Sequence, residues 1–406
     1  MNPMRNKLRG ILLLLTTALL LCTGQYYGAQ QAELPAGAKI VHNLGAGAWG
    51  GQPKVELKLL RKIGDVDTTD DHFAFNEPND VAVDVGGNIY ILDSGNCRIQ
   101  KFSPEGKFLS SIGRKGQGPG EFGRPTSFDI DAKGFIYVVD YEQKRLVKLK
   151  PSGGQDRSYS IKELGLNSVR ILNSGLIASV APPGPSRAIK PGVPVMISDP
   201  PAKLIKLFDA EFKPKVEVGE PFDYKDNMSN LAGNALRVET GQDDFVYSGY
   251  LYQNRIEKYA SNGKLLWKAD RPLGYSLGII AKGGIEMRGN SVRSFSPRMN
   301  RCTVGLGVDL KSRVWVLTMA RQLRDEEQVG TTTSYGPSGM TRKITGNTDL
   351  RTTDAYRLDV FDSEGALLSM IPLSHFADGI RVVGDSLFIL DQLRGVTYYQ
   401  YKIVER

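Results

Sequence analysis

The chain has 406 residues, 41% of them hydrophobic and 24% charged, enough for one large core or two ordinary ones. Its formal charge of +8 is a mild excess and no nucleic-acid signature. Three cysteines make no disulfide framework.

Taken from the start, Arg5, Lys7 and Arg9 precede an apolar run from Ile11 to Leu21. That run is short for a membrane span, and with the small residues that follow it reads as a secretory signal over residues 1–24. Cys22 opens a second reading, acylation as a bacterial lipoprotein, although Leu21 is not the small residue that pattern wants before the cysteine. An uncleaved anchor is the third. Loss of the three basic residues takes the charge from +8 to 8 − 3 = +5. Residues 25–53 read as a leader to the domain that fills 54–406.

The domain is built from repeats. "NDVAVDVGGNIYILDSGNCRIQKFSPEGKFLSSIG" (Asn79 to Gly113) is matched by "TSFDIDAKGFIYVVDYEQKRLVKLKPSGG" (Thr126 to Gly154). The pairs Asp84/Asp131, Gly87/Gly134, Tyr90/Tyr137, Asp93/Asp140, Arg98/Arg145 and Gly106/Gly153 all stand 47 residues apart. More worn copies follow. Tyr247, Arg255, Lys258 and Gly263 mark one, and Asp309, Trp315, Arg357, Phe361 and Gly365 another. "LIASVA" with "KLIKLFDAEFKPKVEVG" makes a split copy, and "IRVVGDSLFILD" with "VTYYQYKIV" the last. Each unit predicts four short alternating strands with Asp, Gly, Pro or Asn at the turns, and no helical period competes. Four-stranded units at this period are propeller blades. The last unit lacks its outer strand, and "KLLRKIG" (Lys58 to Gly64) resembles the outer strand "KFLSSIG" (Lys107 to Gly113). We therefore expect an all-β, six-bladed propeller closed by an N-terminal strand, which removes two exposed edges.

The stretch "PNDVAVDVGGNIYILDSGNCRIQKFSPEGKFLSSIG" resembles an NHL repeat, and the chain is similar to secreted bacterial six-bladed propellers of that type over roughly residues 54–403. The resemblance speaks for the fold and says little of function, since propellers host many unrelated activities.

"GRKGQGPGEFGRP" (Gly113 to Pro125) contains G-x-G-x-x-G at Gly118, Gly120 and Gly123. A dinucleotide fingerprint needs a helix next. Here Pro125 and a strand follow, so the stretch reads as a blade connector. An anion-binding nest of backbone N–H groups beside Arg114, Lys115 and Arg124 is the milder alternative.

With strands a to d running outward, the b–c turns and d–a connectors share one face. The three long insertions, 182–203, 271–301 and 321–353, all fall there, which marks it as the binding face. Arg114, Lys115, Arg124, Tyr250, Tyr252, Arg301, Arg324 and Tyr335 are its candidate ligand contacts. His72 and His375 occupy corresponding connectors, and with Asp80 they are the candidate metal ligands, for calcium or zinc. The blander reading has each histidine packing its own connector. No cofactor is evident otherwise. Asp65, Asp67, Asp70 and Asp71 fail the EF-hand pattern. The recurring Asp93, Asp140 and Asp391 with Arg98, Arg145 and Arg255 read as turn capping, as do Asp84, Asp131 and Asp309. No catalytic serine or zinc-protease motif is present.

These features favour a secreted or envelope-attached binding module, without evident catalysis, for a protein, peptide or glycan. The membrane would be reached only through the signal or a lipid anchor. The alternative is a lyase or hydrolase, metal-dependent or not, at the channel mouth. The resemblance extends to peptide-amidating and streptogramin lyases, but His42, His72 and His375 are the only histidines and His42 precedes the first blade strand, which disfavours a three-histidine zinc site. RNA binding, known for intracellular NHL domains, fits poorly with a signal peptide.

Overall fold

A computed structural model of the protein describes residues 37–184, 186–188, 196–288, 291–336 and 339–406. The signal segment and Cys22 lie outside the described residues. Five four-stranded antiparallel sheets and one five-stranded sheet, that of blade 4 with an added strand at its outer edge, make the blades of a six-bladed propeller. Blade 1 runs through Pro78–Val83, Ile89–Asp93, Arg98–Phe102 and Phe108–Ile112. Blade 2 runs through Pro125–Ile130, Ile136–Asp140, Arg145–Leu149 and Gln155–Ser160. Blade 3 is Arg170–Ile171, Ile177–Val180, Ile205–Phe208 and Pro214–Val218, and blade 4 is Leu236–Thr240, Val246–Tyr250, Ile256–Tyr259 and Leu265–Ala269. Blade 5 is Thr303–Val308, Val314–Met319, Tyr356–Phe361 and Leu367–Pro372.

Blade 6 takes three strands from the end of the chain, Gly379–Val383, Ser386–Asp391 and Thr397–Glu405, and its outer strand, Val55–Ile63, from the beginning. Val55 pairs with Glu405 and Ile63 with Tyr398. The closure expected from the sequence is therefore present. N-terminal to the boundary drawn at residue 54, the chain already grips the ring. Asn43 donates to the carbonyls of Asp270 (2.9 Å) and Gly365 (3.0 Å), and the N–H groups of Ala48 and Trp49 bond Leu367 O and Leu368 O.

Burial follows position in the blade. The outer strands Phe108–Ile112 and Gln155–Ser160 show mostly exposed side chains, whereas Ile89–Asp93, Ile136–Asp140 and Val246–Tyr250 are buried at every residue. The second strands lose the expected alternation because both faces of each sheet pack against a neighbouring blade. Hence Ile89–Leu92 and Ile136–Val139 read as short unbroken apolar runs.

The turns carry the repeat. Asp84 accepts from the N–H groups of Gly86 and Asn88 and from the hydroxyl of Tyr90 (3.0 Å). Asp131 does the same for Lys133, Phe135 and Tyr137, and Asp309 for Lys311, Arg313 and the indole of Trp315. One carboxylate thus closes the a–b turn and pins the aromatic ring that fills the next strand. Asp209 and Asp362 close c–d turns on the same face by the same backbone bonds.

Blades 5 and 6 approach most closely at their inner strands. A Cβ on Gly305 would lie 2.6 Å from Ile380 N, and one on Gly307 would lie 2.6 Å from the Val382 side chain. Only glycine lets those two backbones meet.

Candidate functional site

The long excursions leave from one face. Blade 3 sends out the hairpin Ser186–Ala188/Met196–Ser198 and blade 5 the hairpin Val329–Gly346, whose strands are Val329–Gly336 and Gly339–Gly346. The connector between blades 4 and 5 carries Gly284–Arg288/Ser291–Phe295. Side chains tie these segments together. Asn227 Nδ2 donates to Ser198 O (2.9 Å), and Gln322 Nε2 donates to Arg301 O (2.8 Å). Arg394, in the b–c turn of blade 6, donates to Glu327 O at the base of the blade 5 insertion.

That base is itself tightly held. Arg321 makes a two-pronged pair with Glu327 (2.6 and 2.7 Å) and also bonds Asp354. Arg324 N and the Thr353 hydroxyl add their hydrogen bonds to Glu327 (2.8 Å each). Led by the Arg321 bond, this donor set holds the Glu327 carboxyl down at about 2.

The centre of the ring holds a knot of charge. Arg170 of blade 3 makes a two-pronged pair with Asp80 of blade 1 (2.9 and 3.1 Å) and reaches Glu239 of blade 4 through Nε (2.9 Å). Arg381 of blade 6 bonds Asp129 of blade 2 (2.8 Å) and lies beside Asp80 (3.4 Å) and Glu239 (3.6 Å). Blades 1 and 3, 2 and 6, and 4 and 6 are not neighbours, so these pairs cross the axis. The five side chains are at most 13% exposed, and they fill the channel at their level. Burial lifts the Glu239 carboxyl above the ordinary glutamate range even though two arginines pull it down. Such a network is costly to break because each loss strands a partner.

Two arginines at the same centre make no ion pair with a carboxylate among the described residues: Arg237 on the inner strand of blade 4 and Arg301 just ahead of the inner strand of blade 5. Beside blade 6, a cavity of about 300 Å³ is lined by Lys62, Asp65, Asp67, Phe73, Arg351 and Tyr399 among others.

The residues singled out from sequence land as follows. The glycine-rich connector is closed by the protein's own groups. Glu121 accepts from Gly118 N (2.9 Å) and from Arg114 (2.8 Å), Gln155 from Gly120 N (3.0 Å), and Asp140 from Gly123 N and Arg124 N. The N–H groups an anion would need are thus occupied. Lys115 bridges to Phe122 within the same loop. Asp93, Asp140 and Asp391 cap turns and connectors, with Arg98 donating to Asp93 (2.8 Å), as their recurrence suggested.

Tyr250 is a correction. It is not in an open turn but ends a fully buried strand, with Arg255 over its ring and its hydroxyl donating to Glu257 (2.9 Å). Tyr252 is half-buried, Arg324 is exposed beside Asp354 (3.5 Å), and the side chain of Tyr335 lies outside the described residues.

His72, His375 and Asp80 are not brought together. His72 is exposed and stacks on Phe108 of the outer strand of blade 1, with ring centroids 3.6 Å apart. His375 stacks on Tyr399 (4.3 Å), meets the Tyr401 hydroxyl (3.0 Å), and is lowered from its ordinary pKa by burial. Asp80 belongs to the knot. Among the described residues no group of three or more His, Cys, Asp or Glu side chains is placed to hold a metal. Cys97 and Cys302 are buried, with burial pushing both thiols up, the opposite of an activated nucleophile.

A family model, DUF5128, described as a 6-bladed beta-propeller, matches residues 67–155. No match was found among curated proteins. Among solved structures, a member of the DUF4221 family from Bacteroides vulgatus is similar over 87% of this chain and 99% of its own, at 12% identity and a TM-score of 0.56. A protein from Bacteroides fragilis described as exported is similar over 91% of this chain and 100% of its own, at 11% identity and a TM-score of 0.50. Virginiamycin B lyase from Staphylococcus aureus aligns over 86% and 100%, at 9% identity and a TM-score of 0.46. At these identities the likeness is one of fold alone.

Proposed function

We propose that the protein is an exported or envelope-attached binding propeller that holds its ligand on the insertion-bearing face and does no chemistry on it. One observation carries this reading: the two faces are built differently. The opposite face is a set of short turns, several closed by their own aspartate. The insertion face carries all three long excursions; Gln322–Arg301 joins two of them, and Asn227–Ser198 and Arg394–Glu327 tie excursions to neighbouring connectors. The ring closes through its outer strand and needs none of them. Elaboration on one side of a repeat array is the pattern of a binding surface.

Export is supported by the basic and apolar start of the chain, and the similar Bacteroides fragilis protein is itself described as exported. The recurring turn aspartate and its aromatic partner support an NHL-type repeat. Among the described residues no helix is long and apolar enough to cross a membrane. Attachment would come through the N-terminal segment or a lipid on Cys22. The ligand class is a protein, peptide or glycan.

The test replaces the hairpin Val329–Gly346 with a short turn and compares the variant with the intact chain on arrays of bacterial cell-wall peptides and polysaccharides. The variant should keep its melting temperature to within about 4 °C and lose the intact chain's hits. Hits that survive trimming, or an intact chain that binds neither array, would overturn the reading.

A further inference from the structure

The inner strands begin on the insertion face and run away from it. Arg237 precedes Glu239 by two residues, so both side chains leave the strand on one side, and Arg237 stands nearer the insertions. Arg301 enters beside it. Leu251 N donates to Ala235 O (2.9 Å) and Cys302 N donates to Leu251 O (2.7 Å), which brings the starts of both inner strands together. The register partner of Arg237 is Gly249, and a Cβ there would lie 3.2 Å from the Thr303 methyl. The two arginines therefore reach the channel from adjacent blades, above the knot.

Their partners set them apart from Arg170 and Arg381. Arg237 is exposed and has no side-chain hydrogen bond or ion pair among the described residues. The Nε of Arg301 reaches only the carbonyl of Thr303 (3.2 Å). The surroundings of Arg237 pull its guanidinium down to about 10, through burial first and then the charges of Arg301 and Arg170. It is exposed into a channel walled by protein, where the charges of Arg301 and Arg170 outweigh the pull of Asp80 and Glu239 below. Asp378, near Arg301, accepts from Gln392 N (2.8 Å), and burial raises its carboxyl, which weakens it as a counter-charge.

We propose that Arg237 and Arg301 form an oxyanion site at the insertion-face mouth of the channel, taking the carboxylate, phosphate or sulfate of a small anionic ligand or of an anionic group on a larger one. Guanidinium forks match these groups in geometry and charge. The knot beneath supplies a closed floor, so the anion rests at the mouth and the rest of the ligand lies among the insertions. The inference deepens the binding reading above and rests on it for the ligand's remainder only.

The experiment titrates the full chain with acetate, glucuronate, inorganic phosphate and sulfate at constant ionic strength, reading the anion-induced rise in melting temperature and the Kd by calorimetry. At least one oxyanion should stabilise the unaltered protein, and the comparison of carboxylates with phosphate and sulfate shows which group is taken. Arg237→Met and Arg301→Met should each weaken that binding about tenfold or more, the loss expected for a charge-assisted hydrogen bond, with Arg237→Lys between them and the parent. Without anion, Arg237→Met should melt at or above the parent, because it removes a cation that repels its neighbours. The proposal fails if no oxyanion binds, if binding survives Arg237→Met, or if Arg237→Met alone melts well below the parent, which is the signature of a structural role. Trimming Val329–Gly346 leaves both arginines in place. Oxyanion binding that survives trimming while array hits vanish supports both readings; array hits that survive trimming overturn the binding reading alone, and an intact chain that binds no oxyanion overturns this one alone.

Discussion

The knot and the mouth of the channel lie two residues apart along the same inner strand and treat charge in opposite ways. In the knot, Arg170 and Arg381 share Asp80, Asp129 and Glu239 across the ring. At the mouth, Arg237 and Arg301 make no ion pair with a carboxylate among the described residues. Compensated charge fixes geometry and is unavailable to a ligand. Uncompensated charge costs stability and stays available, the usual trade at a binding site.

The bluntest way to break the contrast is to open the ring. Deleting Val55 to Gly64 removes the outer strand of blade 6, leaves a bare sheet edge, and frees the blade that carries Arg381. The truncated chain should unfold or associate through that edge, which size-exclusion chromatography and thermal melting would show. A monomer that melts where the full chain does would mean the closing strand is dispensable. Next comes Arg381→Met, which strands Asp129 and leaves the negative side of the knot in excess. It should cost about 3 to 5 kcal/mol in denaturant unfolding, against no loss for Arg237→Met at the mouth. Equal effects at the two sites would erase the distinction between them.

The smallest effect comes from acid. The Glu327 carboxyl is held at about 2 against an ordinary value of 4.5. Its contribution is complete above pH 4.5 and is lost as pH falls through about 2, because the unfolded chain takes up the proton first. Glu327→Gln should therefore lower stability at neutral pH by on the order of 1 to 3 kcal/mol and flatten the acid limb of the stability curve. An unchanged acid limb in that variant would show that the insertion base is not held through this carboxylate.

The propeller was legible because its turn residues recur at constant spacing. Asp84, Asp131 and Asp309 do a local job within four to six residues of chain, so periodicity exposes them. The closure was legible because the outer strand Lys58–Gly64 resembles its counterpart Lys107–Gly113. The knot was not, for the converse reason. Its pairs join residues 90, 252 and 301 apart in sequence, and they leave their strands at different depths, so no repeat register relates them. Asp80 alone drew notice, and as a metal ligand. The signal overlooked was a charged residue on an inner strand, at Arg170, Glu239 and Arg381. Tyr250 was misplaced because its neighbours Gly249 and Tyr252 look like a turn, whereas burial beneath Arg255 and Glu257 extends the strand through it.

The outer strand of blade 6 has one more consequence, for how the chain is made. Ile63 meets Thr397 across 334 residues of sequence. At ribosomal rates of roughly 5 to 20 residues per second, Val55–Ile63 waits about 20 to 70 s for its partner to be synthesised. Through that interval blades 1 to 5 can assemble while a strand with Leu57, Leu59 and Leu60 set among charged residues stays unpaired. The last blade closes only once Thr397–Glu405 has been made. A propeller built this way remains an open ring until that strand has left the ribosome.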